Sequence, residues 1–319
     1  MKILVLGAGG IGGVVGGRLA QAGADVTFLV REKRKAQLAK DGLQVESQFG
    51  NISMPVQAKL KSEVGPGHDL VIVACKAYDL DGAIESIRPA MTGSTALLPL
   101  LNGLAHIETL NGVFGPDNVL GGSMKMQVTV TPEGIVRQLN DWQTMTFGEQ
   151  SGEITPRVRQ LQDLLAKTSI EARVSTDIIG EMWFKLVHLA TVAGMTCLMR
   201  ANIGEIVRTP EGSKLLKDFL ETNAGIAGAA GHRPDEKFMN SYRDLFSQRD
   251  SLYEASMQRD LEKGGQVESE QILGFMLRKC REAGLADTLH LAAYTAVKAY
   301  EQRRDAGRLP RLAPAAPRP

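Results

Sequence analysis

Residues 7–12 read Gly-Ala-Gly-Gly-Ile-Gly, directly after the apolar run Ile3–Leu6 and at the head of the small-residue stretch Gly9–Ala22. A G-x-G-x-x-G pattern is weak evidence alone. Between a strand and a helix it constrains the fold more than any other feature here, because each glycine has a geometric task. Gly7 permits the tight turn out of the strand. Gly9 lets the backbone approach a pyrophosphate, and Gly12 lets the helix pack closely on the strand. With Gly10 and Ile11 they form a loop whose following helix start offers N–H groups and a partial positive charge to phosphates.

The chain after the loop keeps the same rhythm. Val14, Val15 and Leu19 recur at helical spacing, and Gly23 is placed to end that helix. Ala24–Val30 is a β-branched and aromatic strand, followed by a polar, basic helix from Arg31 to Leu43. Asp69–Ala74 and Thr95–Leu101 are further apolar strands, with a helix at Gly82–Ile87 between them. Such alternation means parallel strands joined by helical crossovers. From Gly121 the texture changes. Met126–Val130 and Thr144–Phe147 are expected strands around a turn at Pro132-Glu133-Gly134, adding mixed or antiparallel strands to the sheet. Ile154–Lys167 reads as a helix and Ile170–Val174 as a last strand. After Asp177 the chain reads as helical throughout. Ile178, Met182, Leu186 and Ala190 mark one long helix, and Leu215–Ala230 and Leu285–Glu301 repeat the period. The expected fold is therefore α/β: an N-terminal Rossmann-type dinucleotide-binding domain at 1–175, then an all-helical C-terminal domain at 176–305. A Pro/Arg-rich tail occupies 306–319.

Charge and cysteine content narrow the partners. The 319 residues carry 37 Lys and Arg against 36 Asp and Glu, a net charge of +1. A broad nucleic-acid surface would need a basic excess. Cys75, Cys197 and Cys280 are too few and too separated for a disulfide framework or a zinc site, so no metal is expected and the thiols read as reduced. Lys2 and the uncharged run Ile3–Gly17 resemble a short signal peptide, but seven glycines in that run make a poor hydrophobic helix. No uninterrupted run reaches the ~20 apolar residues that span a bilayer. The expectation is a cytoplasmic protein with a small-molecule ligand and neither nucleic-acid nor membrane partner. The apolar helical faces after residue 177 suit either an internal core or the seam of a homodimer.

The residue after the second strand bears on the cofactor. NAD-binding chains usually place an acid there for the ribose 2′-hydroxyl. Here it is Arg31, followed by Glu32, Lys33, Arg34 and Lys35. A guanidinium can pair bidentately with a 2′-phosphate, which favours NADP; Glu32 could hold a hydroxyl instead. Lys33–Lys35 read as a solvated helix start. Lys76 and Asn102 follow two other strands, at the carboxyl ends where open parallel sheets bind ligands. Asn102-Gly103 is also a common turn. Lys185 lies in the apolar helix and could donate a proton to a carbonyl oxygen, or pair with Glu181 one turn earlier. Ser256 and Glu268 flank a glycine pair, where a hydroxyl and a carboxylate could meet a substrate; on the residues alone they read as helix caps or solvated groups.

Taken together these residues resemble the ketopantoate reductase (2-dehydropantoate 2-reductase) family. The resemblance rests on GAGGIG at 7–12, Arg31, Cys-Lys-Ala at 75–77, Leu-Asn-Gly at 101–103, Trp-Phe-Lys-Leu at 183–186, Ser256 and Glu268, and covers about residues 1–300. It implies reduction of 2-dehydropantoate to pantoate with NADPH, on the way to pantothenate. It further implies Lys185 as general acid, Glu268 hydrogen-bonded to the substrate hydroxyl, and Ser256 on substrate polar groups. Asn102 would position the nicotinamide ribose or substrate, and Lys76 would lie near the cofactor. The chain departs from the family where asparagines usually follow the lysine by four and eight residues: it has Leu189 and Ala193. His188, three residues after Lys185 on a neighbouring helical face, reads as a half-buried helix histidine or as a group that could compensate. Ala105-His106 stands where a glycine commonly follows Asn-Gly-Leu. The departures leave open a related reductase of another 2-oxo acid, and from a different class an NADP-binding sensor without catalysis.

Overall fold

A computed structural model describes residues 1–310, which group into two compact units, Met1–Met182 and the residues from Trp183 onward. In the first unit β1 (Lys2–Leu6) leads into α1 (Gly10–Gln21), β2 (Asp25–Leu29), α2 (Glu32–Asp41), β3 (Leu43–Glu46), β4 (Ile52–Met54), β5 (Gln57–Lys59) and β6 (Leu70–Val73). Then follow α3 (Leu80–Ile87), β7 (Ala96–Pro99), α4 (Ala105–Phe114), β8 (Leu120–Lys125), β9 (Val128–Val130), β10 (Val136–Gln138), β11 (Thr144–Glu149), α5 (Pro156–Leu165) and β12 (Glu171–Val174).

Five strands form a parallel sheet in the order β5-β2-β1-β6-β7, with Leu4 opposite Thr27 on one side and Val71 on the other. The central strands are apolar on both faces because helices cover both. Ile3, Val5, Val14, Leu19, Phe28, Ile72 and Leu98 share one buried core. Helix α1 can lie close on the sheet because it is rich in glycine: a Cβ on Gly16 would sit 2.5 Å from the Phe28 ring. Truncating the fully buried Phe28 would cost about 3–5 kcal/mol.

The later strands pair as the mixed set expected, in two ladders, β4-β3-β10-β9 and β12-β11-β8, each with parallel and antiparallel neighbours. A parallel bridge between Leu97 and Val119 sets the second ladder beside β7 at the edge of the parallel sheet. The expected strand from Met126 is shorter, and β8 precedes it. Gly121 and Gly122, outside any expected element, lie within β8. Cβ atoms there would press within 2.7 Å of Ile178 and 2.6 Å of Leu98 and the Pro99 carbonyl oxygen. Close packing, which a linear reading does not contain, sets these glycines in a strand.

The second unit is helical. Helix α6 (Ile178–Met199) runs into it and is followed by α7 (Ile203–Arg208), α8 (Gly212–Ala229), α9 (Glu236–Leu245), α10 (Ser256–Glu262), α11 (Phe275–Glu282) and α12 (Thr288–Asp305). Asn202 and Glu205 cap α7 reciprocally, each side chain accepting the other's backbone N–H at 2.9 Å. Helix α6 is long and apolar enough to cross a membrane, but 67% of its apolar window is buried inside the protein, as in a core helix. A buried polar chain ties three helices: Asn223 donates to Thr191 Oγ1 at 2.9 Å and accepts from His290 Nε2 at 3.0 Å. The expected tail begins after α12, and its residues 311–319 lie outside the described residues.

Candidate active site

The loop after β1 has the strain and packing that its glycines allow. Gly7 adopts φ +93°, a left-handed conformation that costs other residues 1–3 kcal/mol, and donates its N–H to Leu29 O at 2.9 Å. A Cβ on Gly12 would fall inside van der Waals contact of the Gly7 carbonyl oxygen and 3.4 Å from Ala74 Cβ. One on Gly10 would meet Val128 Cγ2 at 2.5 Å. Gly9 differs: among the described residues, its chain neighbours aside, nothing lies within 4 Å of its Cβ position, and its backbone is extended. As N-cap of α1 it brings no side chain to the first-turn N–H groups, which include those of Gly10, Ile11 and Gly12.

Three other loops reach the same end of the sheet. Arg31, the N-cap of α2 after β2, is 86% exposed and pairs with Asp79 at 3.3 Å. Asp79 ends the single turn Ala77–Asp79 after β6, whose N-cap is the exposed Lys76. Asn102 follows β7, half-buried, beside Gly103 at φ +87°. The glycine loop, Arg31, Lys76 and Asn102 thus follow the carboxyl ends of four neighbouring strands, β2-β1-β6-β7.

The sequence reading missed Arg34, one turn beyond Arg31. Its Nε and Nη2 donate to the Ala8 carbonyl at 3.1 and 2.7 Å. Its Nη1 donates to Gly134 O at 2.8 Å and Gln37 Oε1 at 2.7 Å. Burial pushes its guanidinium pKa below the ordinary value. The available signal was the i, i+3 spacing from Arg31, which places it on the same side of α2.

In the second unit, Lys185 lies on the stripe of α6 formed by Glu181, Phe184, Lys185, His188 and Leu189. Glu181 is exposed and the other four are half-buried, whereas Met182, Trp183, Leu186, Val187 and Ala190 through Cys197 are buried. His188 Nε2 shares a hydrogen bond of 2.8 Å with the Tyr253 hydroxyl and meets the Tyr242 ring edge-on at 4.3 Å. Burial pushes the Tyr253 phenol up to about 12, so it stays protonated at neutral pH. Tyr242 continues to Phe238 at 4.6 Å, and Phe238 to Phe184 at 5.6 Å. Leu189 and Ala193 bring no hydrogen-bonding side chain to this helix. Ser256 is the first residue of α10, half-buried, and the N-cap is Ala255. Glu268 is 7% exposed and precedes Ser269, whose hydroxyl donates to Glu301 at 2.6 Å. Gly264 at φ +73° separates α10 from the segment bearing Glu268.

Two family models match the chain. Residues 3–152 match the family model "Ketopantoate reductase PanE/ApbA", and residues 177–301 match "Ketopantoate reductase PanE/ApbA C terminal". The chain is 33% identical to the uncharacterized oxidoreductase YkpB of Bacillus subtilis over 95% of this chain and all of the relative. The crystal structure of 2-dehydropantoate 2-reductase from Geobacter metallireducens is 26% identical with a TM-score of 0.84, covering 94% of this chain and 99% of that one. A D-mandelate dehydrogenase solved with NADH and anilino(oxo)acetate shares the fold at 22% identity and a TM-score of 0.84, over 96% and 100% of the two chains.

Proposed function

Because this chain belongs to the ketopantoate reductase family, and is thereby an oxidoreductase acting on a CH–OH group, we propose that it reduces 2-dehydropantoate to pantoate with NADPH. On this reading it is a cytoplasmic enzyme of pantothenate and coenzyme A synthesis. It would assemble as a homodimer, like the dimeric ketopantoate reductase from Staphylococcus aureus that shares the fold at 21% identity and a TM-score of 0.79. The observation that carries the proposal is the glycine loop with Arg31, Lys76 and Asn102 at one end of the parallel sheet, in a chain of this family.

The residues fit a dinucleotide. Gly9 leaves open space where a side chain would stand, and the start of α1 has no side-chain cap competing for its N–H groups. Gly7, Gly9, Gly10, Ile11 and Gly12 would hold the pyrophosphate, and the exposed Arg31 the 2′-phosphate. Lys76 would add positive charge beside it, and Asn102 would orient the ribose or substrate. When bound, the cofactor supplies the hydride. Lys185 holds the proton that passes to the ketone oxygen, a transfer that typically contributes 10²–10⁴-fold. Glu268 accepts a hydrogen bond from the substrate hydroxyl, and Ser256 binds its polar groups. His188, restrained by Tyr253, supports the substrate side of α6.

A second reading, reduction of a different 2-oxo acid, is favoured by Leu189 and Ala193 in place of amides. The half-buried rings of Phe184 and His188, on the same stripe of α6 as Lys185, and of Phe238 and Tyr242 packed on them suit an apolar substituent. The D-mandelate dehydrogenase of the same fold carries anilino(oxo)acetate. A steady-state screen of NADPH oxidation separates the readings. The first expects 2-dehydropantoate to exceed phenylglyoxylate and pyruvate in kcat/KM by at least about tenfold, or about 1.4 kcal/mol. A reversed order would establish the second. NADPH binding with no 2-oxo acid turned over would refute both and leave a sensor module.

A further inference from the structure

Arg34 lies where three segments of the first unit meet, and it bonds to all three. The glycine loop contributes the Ala8 carbonyl, α2 contributes Gln37, and the β9–β10 turn contributes the Gly134 carbonyl. Gln37 in turn donates its side-chain amide to the Glu133 carbonyl of that turn. The turn fits because Gly134 holds φ +83° and has no side chain; a Cβ there would overlap both Arg34 and Gln37. From the same hairpin Val128 bears on Gly10. Sequence reading made Arg34 a solvated cation and the turn a mere connection.

The chemistry of the loop explains why such an anchor matters. A phosphate-binding loop must present N–H groups and keep carbonyl oxygens away from the anion, because a carbonyl dipole repels it. The two N–H bonds from one planar guanidinium fix the direction of the Ala8 carbonyl and offset its partial charge. An ammonium could not span Ala8, Gln37 and Gly134 together, since it lacks the fork. Resting on the reading that this loop binds a nicotinamide dinucleotide, we propose that Arg34 is a positioning residue for the cofactor. It clamps the pyrophosphate loop to α2 and the β9–β10 turn, leaving recognition of the 2′-phosphate to Arg31.

The test measures dissociation constants of NADPH and NADH by titration with full-length wild type, Arg34→Ala and Arg34→Lys, alongside the melting midpoint. Both substitutions are expected to weaken both dinucleotides about tenfold or more, by the same factor, so the NADPH/NADH ratio stays at the wild-type value. Lysine is expected not to rescue, because it restores charge without the fork. Arg34→Lys also keeps the test open if Arg34→Ala does not fold. Wild-type affinity in either folded variant would overturn the proposal. So would weakening of NADPH alone, which would make Arg34 a direct 2′-phosphate ligand, or rescue by lysine. A collapse of the melting midpoint in both variants would make Arg34 a general structural support and overturn it as well. Failure of the wild type to bind either dinucleotide would instead defeat the cofactor reading beneath it.

Discussion

Gly9 and Gly12 sit three residues apart in one loop, yet alanine is expected to act on them through different physics. At Gly12 the added carbon would overlap the Gly7 carbonyl oxygen and lie 3.2 Å from its carbon. Neither partner yields cheaply: Gly7 is held at φ +93° and bonded to Leu29. Helix α1 must therefore withdraw from the strand end. Overpacking of this kind costs about 1–3 kcal/mol. At roughly 2–4 °C per kcal/mol the melting midpoint of Gly12→Ala should fall by about 2–12 °C. The displaced helix start would also lose at least one charge-assisted hydrogen bond to phosphate, worth about 1.5–3 kcal/mol, so NADPH should bind roughly 10–100-fold more weakly. At Gly9 the backbone is already extended and the Cβ position is open. Gly9→Ala should keep the melting midpoint of the free protein or raise it slightly, since the unfolded chain loses freedom. Its methyl would stand where the pyrophosphate approaches, so NADPH affinity should still fall about tenfold or more. Scanning calorimetry and fluorescence titration of NADPH on both variants provide the check. Wild-type NADPH affinity in Gly9→Ala would refute the pyrophosphate assignment, and an unchanged melting midpoint in Gly12→Ala would refute the packing argument.

Other consequences are equally direct. Lys185→Ala should lower kcat by about 10²-fold or more while NADPH binding survives, and equal turnover would remove Lys185 as the acid. Arg31→Ala should weaken NADPH at least about tenfold more than NADH in paired titrations; an unchanged preference would release Arg31 from the 2′-phosphate. His290 is held by Asn223 against Phe219, and burial pushes it down to about 4 from 6.5. Its stabilising contribution is complete above pH 6.5. As pH falls from 6.5 towards 4 the unfolded chain takes a proton that the folded chain refuses, at about 1.4 kcal/mol per pH unit, about 3 kcal/mol in all. Urea melts of wild type and His290→Gln between pH 7 and 4 should show a shallower slope in the variant, and parallel slopes would refute the assignment.

Local chemistry determined much of this protein. Gly7, Gly9 and Gly12 between a strand and a helix specify a phosphate-type loop because each spacing answers a backbone requirement. The alternation of apolar runs with helical periods specifies a parallel sheet, and the set of short motifs around Arg31, Asn102, Lys185 and Glu268 was enough to resemble the family. The tertiary structure alone decided the rest. It turned β8, with its paired glycines, into a strand, because only packing against Leu98 and Ile178 makes those glycines favourable. It joined β3 and β4 to the distant β10 and β9 in one ladder and bound His188 to Tyr253. Above all, it brought Arg34 from position 34, Ala8 from the loop and Gly134 from a turn 100 residues away to one guanidinium. Neighbours in sequence carry propensity and spacing, whereas a hydrogen bond across that separation exists only once the chain has folded.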